Sequence, residues 1–257
     1  SGREFDGIAD IDDYGFLRRI TLDTIGIVPT GDEVAAFIAD SSLDKRSKKI
    51  DQLLADDRWA DHWVGYWQDV LAENPGIVKP EQNNTGPFRW WIHESFLDNK
   101  SFDRFATELI LMEGSKFFGG PSGFAMASQN DAPMAAKAQI LTKAFLGLEM
   151  SCARCHDSPN SPFKQEELFS LAAMLQRDTV ALPVSSTVPL NPDGRQPLIT
   201  ISLKAGDKLA PDWHLASFPK VDLSNAVLRN EQDSRERFAA TVTSPSTARR
   251  PTSRPTR

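Results

Sequence analysis

The residues best suited to chemistry in this chain are Cys152, Cys155 and His156, which lie in the sequence Cys-Ala-Arg-Cys-His. The chain has 2 cysteines, and both belong to this pentapeptide. C-x-x-C-H is the attachment pattern of haem c, in which two thiols form thioethers with the haem vinyl groups and the next imidazole binds the iron. The motif therefore predicts a haem c site with Cys152 and Cys155 as covalent anchors and His156 as the proximal iron ligand.

The C-x-x-C spacing is also used for thiol–disulfide exchange and for metal binding. Thiol–disulfide oxidoreductases usually carry it at the start of a helix that follows a strand. Here a predicted helix precedes the cysteines, and the negative end of its dipole disfavours a thiolate. A third alternative is a haem-free scaffold of a larger envelope protein, in which the two cysteines form a local disulfide. The sequence leaves both alternatives open.

The motif fixes only one axial ligand, so a distal ligand must come from elsewhere in the chain. Met174 is the tentative candidate, because the break at Pro159 and Pro162 could fold its helix back over the haem. The competing interpretations are an open sixth position and a Met174 that fills core space, as methionine commonly does. The other candidate ligands are Met126, Met134, His62, His93 and His214.

Charge and composition exclude several classes of protein. The net charge is -6, and six Arg and one Glu from Arg235 onward give +5, so residues 1–234 carry -11. This acidic body argues against nucleic acid as a partner, because phosphate binding requires a basic surface. No apolar run is long enough to span a membrane. No Ser/His/Asp arrangement or paired-carboxylate motif is present, so a hydrolase is not predicted and an enzymatic activity stays uncertain.

Hydrophobic periodicity predicts a mainly α, multi-helix fold with a small β-containing C-terminal region. We expect three units: a helical domain over residues 1–179, the β-containing region over 180–240, and a disordered or truncated tail over 241–257. Alternation of apolar residues predicts a strand over 198–204. The predicted helices cover about residues 16–23, 34–39, 44–54, 59–70, 90–97, 102–109, 135–149, 165–176 and 231–240.

Residue spacing gives two further expectations for these helices. Phe145, Leu148, Cys152 and Cys155 are spaced three, four and three residues apart, so the helix that begins near residue 135 is expected to carry the cysteines at its end. Tryptophans at residues 59, 63 and 67 form an aromatic stripe on one helix, which we interpret as a set of core anchors.

Several segments together resemble a planctomycete cytochrome-c-like domain family of unknown function, found in large exported bacterial proteins. The resemblance spans about residues 10–178. Its carrying residues are Phe16, Leu17, Arg18, Arg19, Leu22, Asp23, Gly26, Pro29, Thr30, Leu53, Leu54 and the segments 59–67, 102–105, 145–148, 152–157 and 165–169.

The resemblance implies a periplasmic or cell-envelope setting and a haem label, but no activity. Electron transfer is the role that the haem motif itself suggests. In this family an upstream cytochrome c module usually precedes the domain, so that module or a redox partner protein is the implied partner. Residues 233–245 look like the start of the family's downstream domain, which favours a truncated end for the tail. Many relatives have a second His shortly after the motif, whereas residues 157–161 of this chain contain none.

Overall fold

The computed structural model describes residues 11–71, 85–115, 120–126, 131–188, 199–213, 215 and 221–244. Its secondary structure is mostly helical, which confirms the predicted fold class. The α-helices are α1 Asp13–Ile25, α2 Gly31–Ala39, α3 Lys45–Leu54, α4 Arg58–Val70, α5 Thr85–Leu97, α6 Phe102–Leu111, α7 Ser122–Met126, α8 Pro133–Leu141, α9 Gln165–Gln176 and α10 Ser234–Thr243. Within the described residues, no helix is both long and apolar enough to cross a bilayer.

Local capping sequences set the ends of the first two helices. The Gly15 N–H donates to the Asp12 carboxylate at the start of α1, and α1 ends at Gly26 with φ 74°. At the start of α2, the Glu33 N–H donates to Thr30 Oγ1 and the Thr30 N–H donates to Glu33 Oε2, at 3.3 and 2.8 Å. This reciprocal pair is a capping box, which satisfies main-chain N–H groups at the start of the helix.

An aromatic cluster joins α4, α5 and α6. The Trp67 ring lies 5.5 Å from the Phe105 ring in an edge-on arrangement, and the Phe105 ring stacks on Trp91 at 4.8 Å. Phe105 is 2% exposed and therefore lies at the buried centre of the cluster. The contacts of Trp67, and the edge-on contact of Trp59 with Phe96 at 5.1 Å, confirm the role of these two rings as packing anchors.

The helix expected to reach the cysteines ends earlier, and this prediction was wrong. After α8 the backbone continues as a π-helix over Thr142–Leu146 and stops at Gly147, where φ is 67°. An L-residue pays a steric penalty in this left-handed conformation, whereas glycine adopts it freely, so Gly147 terminates the helix. The cysteines belong to a separate 3₁₀-helix, Ser151–Arg154, and so do not extend the apolar stripe of the preceding helix.

The predicted strand over residues 198–204 was also wrong for its described part, residues 199–204, which contains no strand. Instead, a two-stranded antiparallel sheet pairs β1 Val180–Ala181 with β2 Lys208–Leu209. The main-chain oxygen of Thr200 accepts a hydrogen bond from the Asp157 N–H at 2.9 Å. Thr200 thus bonds to the loop after the motif and not to a neighbouring strand. The alternation of apolar residues is a weaker determinant of structure here than this tertiary contact.

One buried core includes side chains from both sides of residue 180. Leu168 and Leu171 of α9 belong to it, and so do Leu182, Leu209 and Phe238. Helix α10 packs against α6 and α9, where the Ser234 hydroxyl donates to the Met174 main-chain oxygen at 2.7 Å. The predicted tail begins inside this helix, which extends through Thr243, and residues 245–257 lie outside the described part.

Candidate functional site

The C-x-x-C-H motif forms a single turn of 3₁₀-helix on the surface. The N–H groups of Cys155 and His156 both donate to the Cys152 main-chain oxygen, at 3.1 and 3.2 Å. Cys152 is exposed and Cys155 is half-buried, and both carry free thiols. The two sulfur atoms are not at disulfide distance, so the local disulfide of the scaffold alternative is not formed in this structure. The turn therefore presents two separate thiols, one of them openly accessible.

The His156 ring is held in one tautomer by the residue that follows it. Its Nδ1 atom lies 2.7 Å from the Asp157 main-chain oxygen. A carbonyl oxygen can only accept a hydrogen bond, so Nδ1 carries the proton and Nε2 of the neutral imidazole carries a lone pair. Histidines that bind metals are typically oriented by such a bond from the other ring nitrogen. The arrangement makes Nε2 of His156 a competent ligand atom.

An ion pair and a hydroxyl fix the motif to neighbouring segments. The Arg154 guanidinium lies 3.0 Å from the Asp131 carboxylate, just before α8. The Ser185 hydroxyl donates to the same carboxylate at 2.5 Å. This hydrogen bond is the main cause that lowers the pKa of Asp131 below its ordinary value, and the charge of Arg154 lowers it further. Arg154 is thereby tied to the segment before α8.

Asp157 connects the motif to α9 and to the segment between β1 and β2. Its Oδ1 atom accepts hydrogen bonds from the Gln165 N–H at 2.9 Å and from the Ser202 hydroxyl at 2.7 Å. Gln165 begins α9, where main-chain N–H groups lack helical partners, so a carboxylate is favourable there. The Asp157 carboxylate therefore links the loop after His156 both to the first residue of α9 and to Ser202.

The sequence-predicted distal ligand lies elsewhere on α9. Met174 is 1% exposed and belongs to the buried core. It is nine residues beyond Gln165, which corresponds to about 14 Å along the helix axis. The structure therefore brings Cys152, Cys155 and His156 together and places Met174 towards the opposite end of α9.

The remaining candidate ligands are dispersed among other contacts. His62 is exposed on α4, and His93 Nε2 pairs with Asp61 at 3.0 Å. Met134 is half-buried near the start of α8. The Met126 side chain and His214 lie outside the described residues. Over the described part of the chain, no group of three or more His, Cys, Asp and Glu could hold a metal ion.

Sequence reasoning missed the polar residues that support the motif from a distance. Gln165 is fully buried, and its Nε2 atom donates to the Ser186 main-chain oxygen at 2.5 Å. Gln139 donates from α8 to the main-chain oxygens of Met150 and Ser151. These residues come from separate segments, and no sequence motif marks them. The only signal was a polar residue on an otherwise apolar helix face.

The side chains at the motif fit the requirements of a covalently attached haem. Attachment needs two thiols that are not already paired, and both cysteines meet this requirement. Iron binding needs an imidazole nitrogen with a lone pair. Because His156 Nδ1 donates its proton to the Asp157 main-chain oxygen, Nε2 carries that lone pair. The donor set is thus chemically complete on the proximal side.

Comparisons with known proteins place the helical part of the chain in a family. The comparisons with curated proteins and with solved structures gave no match. A family model matches residues 4–179, a range that ends where the expected helical domain ends. This range includes the motif and α1 to α9. The chain therefore belongs to the PSCyt2 family, which is described as a protein of unknown function (DUF1549).

Proposed function

We propose that this chain is a covalent haem c-binding domain that takes part in electron transfer. The observation that carries the proposal is the hydrogen bond between His156 Nδ1 and the Asp157 main-chain oxygen, which leaves Nε2 as the ligand atom directly after two free thiols. Cys152 and Cys155 would hold the haem covalently, and His156 would bind its iron. Bound haem would supply a reversible one-electron centre.

The protein's own contribution is to position these three side chains. The bond to Asp157 holds the imidazole in one orientation, and Asp157 is itself held by Gln165 and Ser202. The Arg154–Asp131 pair keeps the 3₁₀-turn against α8. Loss of such supporting contacts typically lowers the affinity or activity of a metal site by about 10- to 100-fold.

For the setting, we propose the periplasm or the cell envelope of a bacterium. The resemblance to a family of exported bacterial proteins supports this location. The electron partner would be an upstream cytochrome c module or a separate redox protein. The acidic charge of residues 1–234 would favour a partner with a basic surface.

With haem bound, Met174 would be the candidate for a second iron ligand, and the alternative is that the chain supplies none. The burial of Met174 in the core and its distance along α9 favour the open position. A Met174→Leu variant keeps the side-chain volume and distinguishes the two cases. If Met174 binds the iron, the weak red-end absorption of the oxidised protein is lost in this variant. An unchanged spectrum leaves the position open or assigns it to another residue.

The deciding experiment is expression in a host that exports the chain and attaches haem c, followed by a haem stain of the denatured protein. We expect a stained band for the wild-type chain and none for the Cys152→Ser/Cys155→Ser double variant. His156→Ala should shift the absorption spectrum, whereas His62→Ala, an exposed histidine on α4, should not. A colourless wild-type protein with two titratable thiols would overturn the proposal and leave the haem-free scaffold.

A further inference from the structure

A cleft of about 950 Å³ lies directly beside the motif. It is formed by α4, the start of α6, and α8 with its π-helical extension. This volume lies in the range of small-molecule sites. Ser151, the residue before Cys152, lines the cleft, whereas neither cysteine nor His156 does. The lining residues are Tyr66, Trp67, Asp69, Val70, Phe102, Ala136, Gln139, Ile140, Lys143, Ala144, Glu149 and Ser151.

Three aromatic rings contribute to the walls of the cleft. Trp67 is the inner one, stacked on Phe145 with ring centroids 6.1 Å apart and 5.5 Å from the Phe102 ring. Tyr66 and Phe102 are 56% and 55% exposed. Large aromatic side chains gain much of their favourable free energy from burial, so two of them left open at one cleft indicate a surface that a ligand covers.

The backbone of one wall is also unusual. The π-helix Thr142–Leu146 supplies Lys143 and Ala144 to the cleft. The Thr142 hydroxyl stabilises this irregular turn by donating to the main-chain oxygens of Ala138 and Gln139, at 2.8 and 3.1 Å. Short π-helical turns are rare and occur frequently at functional sites. This observation points to the same cleft independently of its aromatic walls.

The charges at the cleft restrict the class of ligand. Asp69 and Glu149 are acidic and Lys143 is basic, which gives the lining a formal charge of one minus. Lys143 and Glu149 pair with each other at 2.8 Å, so the cation is already neutralised. An anionic ligand would therefore meet a net negative surface without a free basic partner among the lining residues. Aromatic walls whose one basic group is already paired suit a neutral planar ring better than an anionic one, with the polar edge of the ring at the rim.

We propose that this cleft binds a neutral, planar aromatic small molecule. The ring would lie against Trp67 and be covered by Tyr66 and Phe102, with its polar edge near Gln139 and Ser151. This site uses neither thiol and does not depend on haem, so it goes beyond the function proposed for the motif.

Isothermal titration calorimetry with 2-naphthol, on the full chain prepared without haem, tests the proposal. We expect saturable binding at one site. Phe102→Ser and Tyr66→Ser should each weaken it by about two- to twelvefold, because aromatic pair contacts contribute about 0.5–1.5 kcal/mol beyond area burial. The matched control is Trp90→Ser, since Trp90 is 61% exposed and lies outside the lining. This control should bind like the wild type.

A second variant and a second probe separate specific binding from general stickiness. Ala144→Leu places a larger side chain in the wall and should reduce binding without removing an aromatic ring. Cyclohexanol, a saturated ring with the same polar group, should not bind measurably. Absence of 2-naphthol binding up to its solubility, equal weakening by Trp90→Ser, or equal affinity for cyclohexanol would each overturn the proposal. Because the titration needs no haem, its result is independent of the haem stain.

Discussion

The side-chain amide of Gln139 on α8 donates to the main-chain oxygen of Met150, with Nε2 and O 3.0 Å apart. The same nitrogen lies 3.3 Å from the Ser151 oxygen, so one side chain holds the two residues that immediately precede Cys152. Met150 is buried, and its oxygen also accepts a hydrogen bond from the Ala153 N–H of the cysteine turn at 3.0 Å. The position of the cysteine turn therefore depends on a residue more than ten positions earlier in the chain.

Replacing the Gln139 amide with an apolar group tests whether this side chain holds the cysteine turn in position. We expect Gln139→Leu to lower the free energy of unfolding by about 0.5–1.5 kcal/mol, because the Met150 and Ser151 oxygens each lose a hydrogen bond. The Cys152 thiol should also react faster with an alkylating reagent, since the turn becomes less restrained. Gln176→Leu, at an exposed position at the end of α9, is the matched control and should change neither quantity. Equal alkylation rates in both variants would show that Gln139 does not restrain the turn.

The Asp131 carboxylate predicts a pH dependence of stability. The Ser185 hydroxyl and the Arg154 charge lower its pKa below the ordinary value of 3.8 in the folded chain. A carboxyl whose pKa is lower in the folded state stabilises the fold above its ordinary pKa, and this contribution is lost as the pH falls through the folded value. The Arg154 anchor of the motif should therefore weaken in acid.

Urea unfolding of Asp131→Asn at several pH values measures this contribution. We expect the variant to be less stable than the wild type at pH 7, and the difference to shrink as the pH falls well below 3.8. Asp51→Asn on α3, an exposed carboxylate far from the motif in sequence, should match the wild type throughout. A difference between Asp131→Asn and the wild type that stays constant with pH would contradict the role of the charge.

Gly147 offers a test of the helix end that separates α8 and its π-helical turn from the cysteines. Its φ of 67° is unfavourable for an L-residue, so Gly147→Ala should lower the free energy of unfolding by about 1 kcal/mol. Gly65 is the contrasting control, because it lies inside α4 and a Cβ there would meet nothing within 4 Å. Gly65→Ala should raise stability by about 0.5–1 kcal/mol through helix propensity. Thermal unfolding followed by circular dichroism should show the two shifts in opposite directions.

Local signals in the sequence predicted much of the fold, and non-local contacts account for what they missed. The Thr30–Glu33 capping box and the contacts of Trp67 follow from spacing along one helix. The end of the helix at Gly147 was missed because the π-helical turn between α8 and Gly147 has no periodicity signal in the sequence. The strand over 198–204 was wrong because Thr200 bonds to the Asp157 N–H, and no pattern within one segment reveals a partner in another.

The same distinction applies to the site. The motif alone identified Cys152, Cys155 and His156 through their spacing. The residue that sets the tautomer of His156 is its neighbour Asp157, but the contact uses a main-chain oxygen and so leaves no mark on residue type. Asp131 and Ser185 reach the motif from 23 and 31 positions away from Arg154, and only the folded chain brings them together.

The family-matched part of the chain and the residues after it share one buried core. The match ends at residue 179, yet Phe238 of α10 is fully buried in the same core as Leu168 and Leu171 of α9. Its ring also meets the Trp213 ring edge-on at 5.4 Å. Phe238→Ala should therefore lower the free energy of unfolding of the whole chain by about 3–5 kcal/mol.

Urea unfolding of this variant, followed by both tryptophan fluorescence and far-UV circular dichroism, checks whether the core behaves as one unit. All 6 tryptophans except Trp213 precede residue 180, so fluorescence mainly reports the helices of the family-matched part. Coincident transitions of the two probes, both shifted to lower urea, are expected for one cooperative core. Val227→Ala, at a fully exposed side chain, is the control and should change stability by less than about 0.5 kcal/mol. A fluorescence transition that stays at the wild-type midpoint while part of the helical signal is lost earlier would show that the residues after 179 unfold as a separate unit.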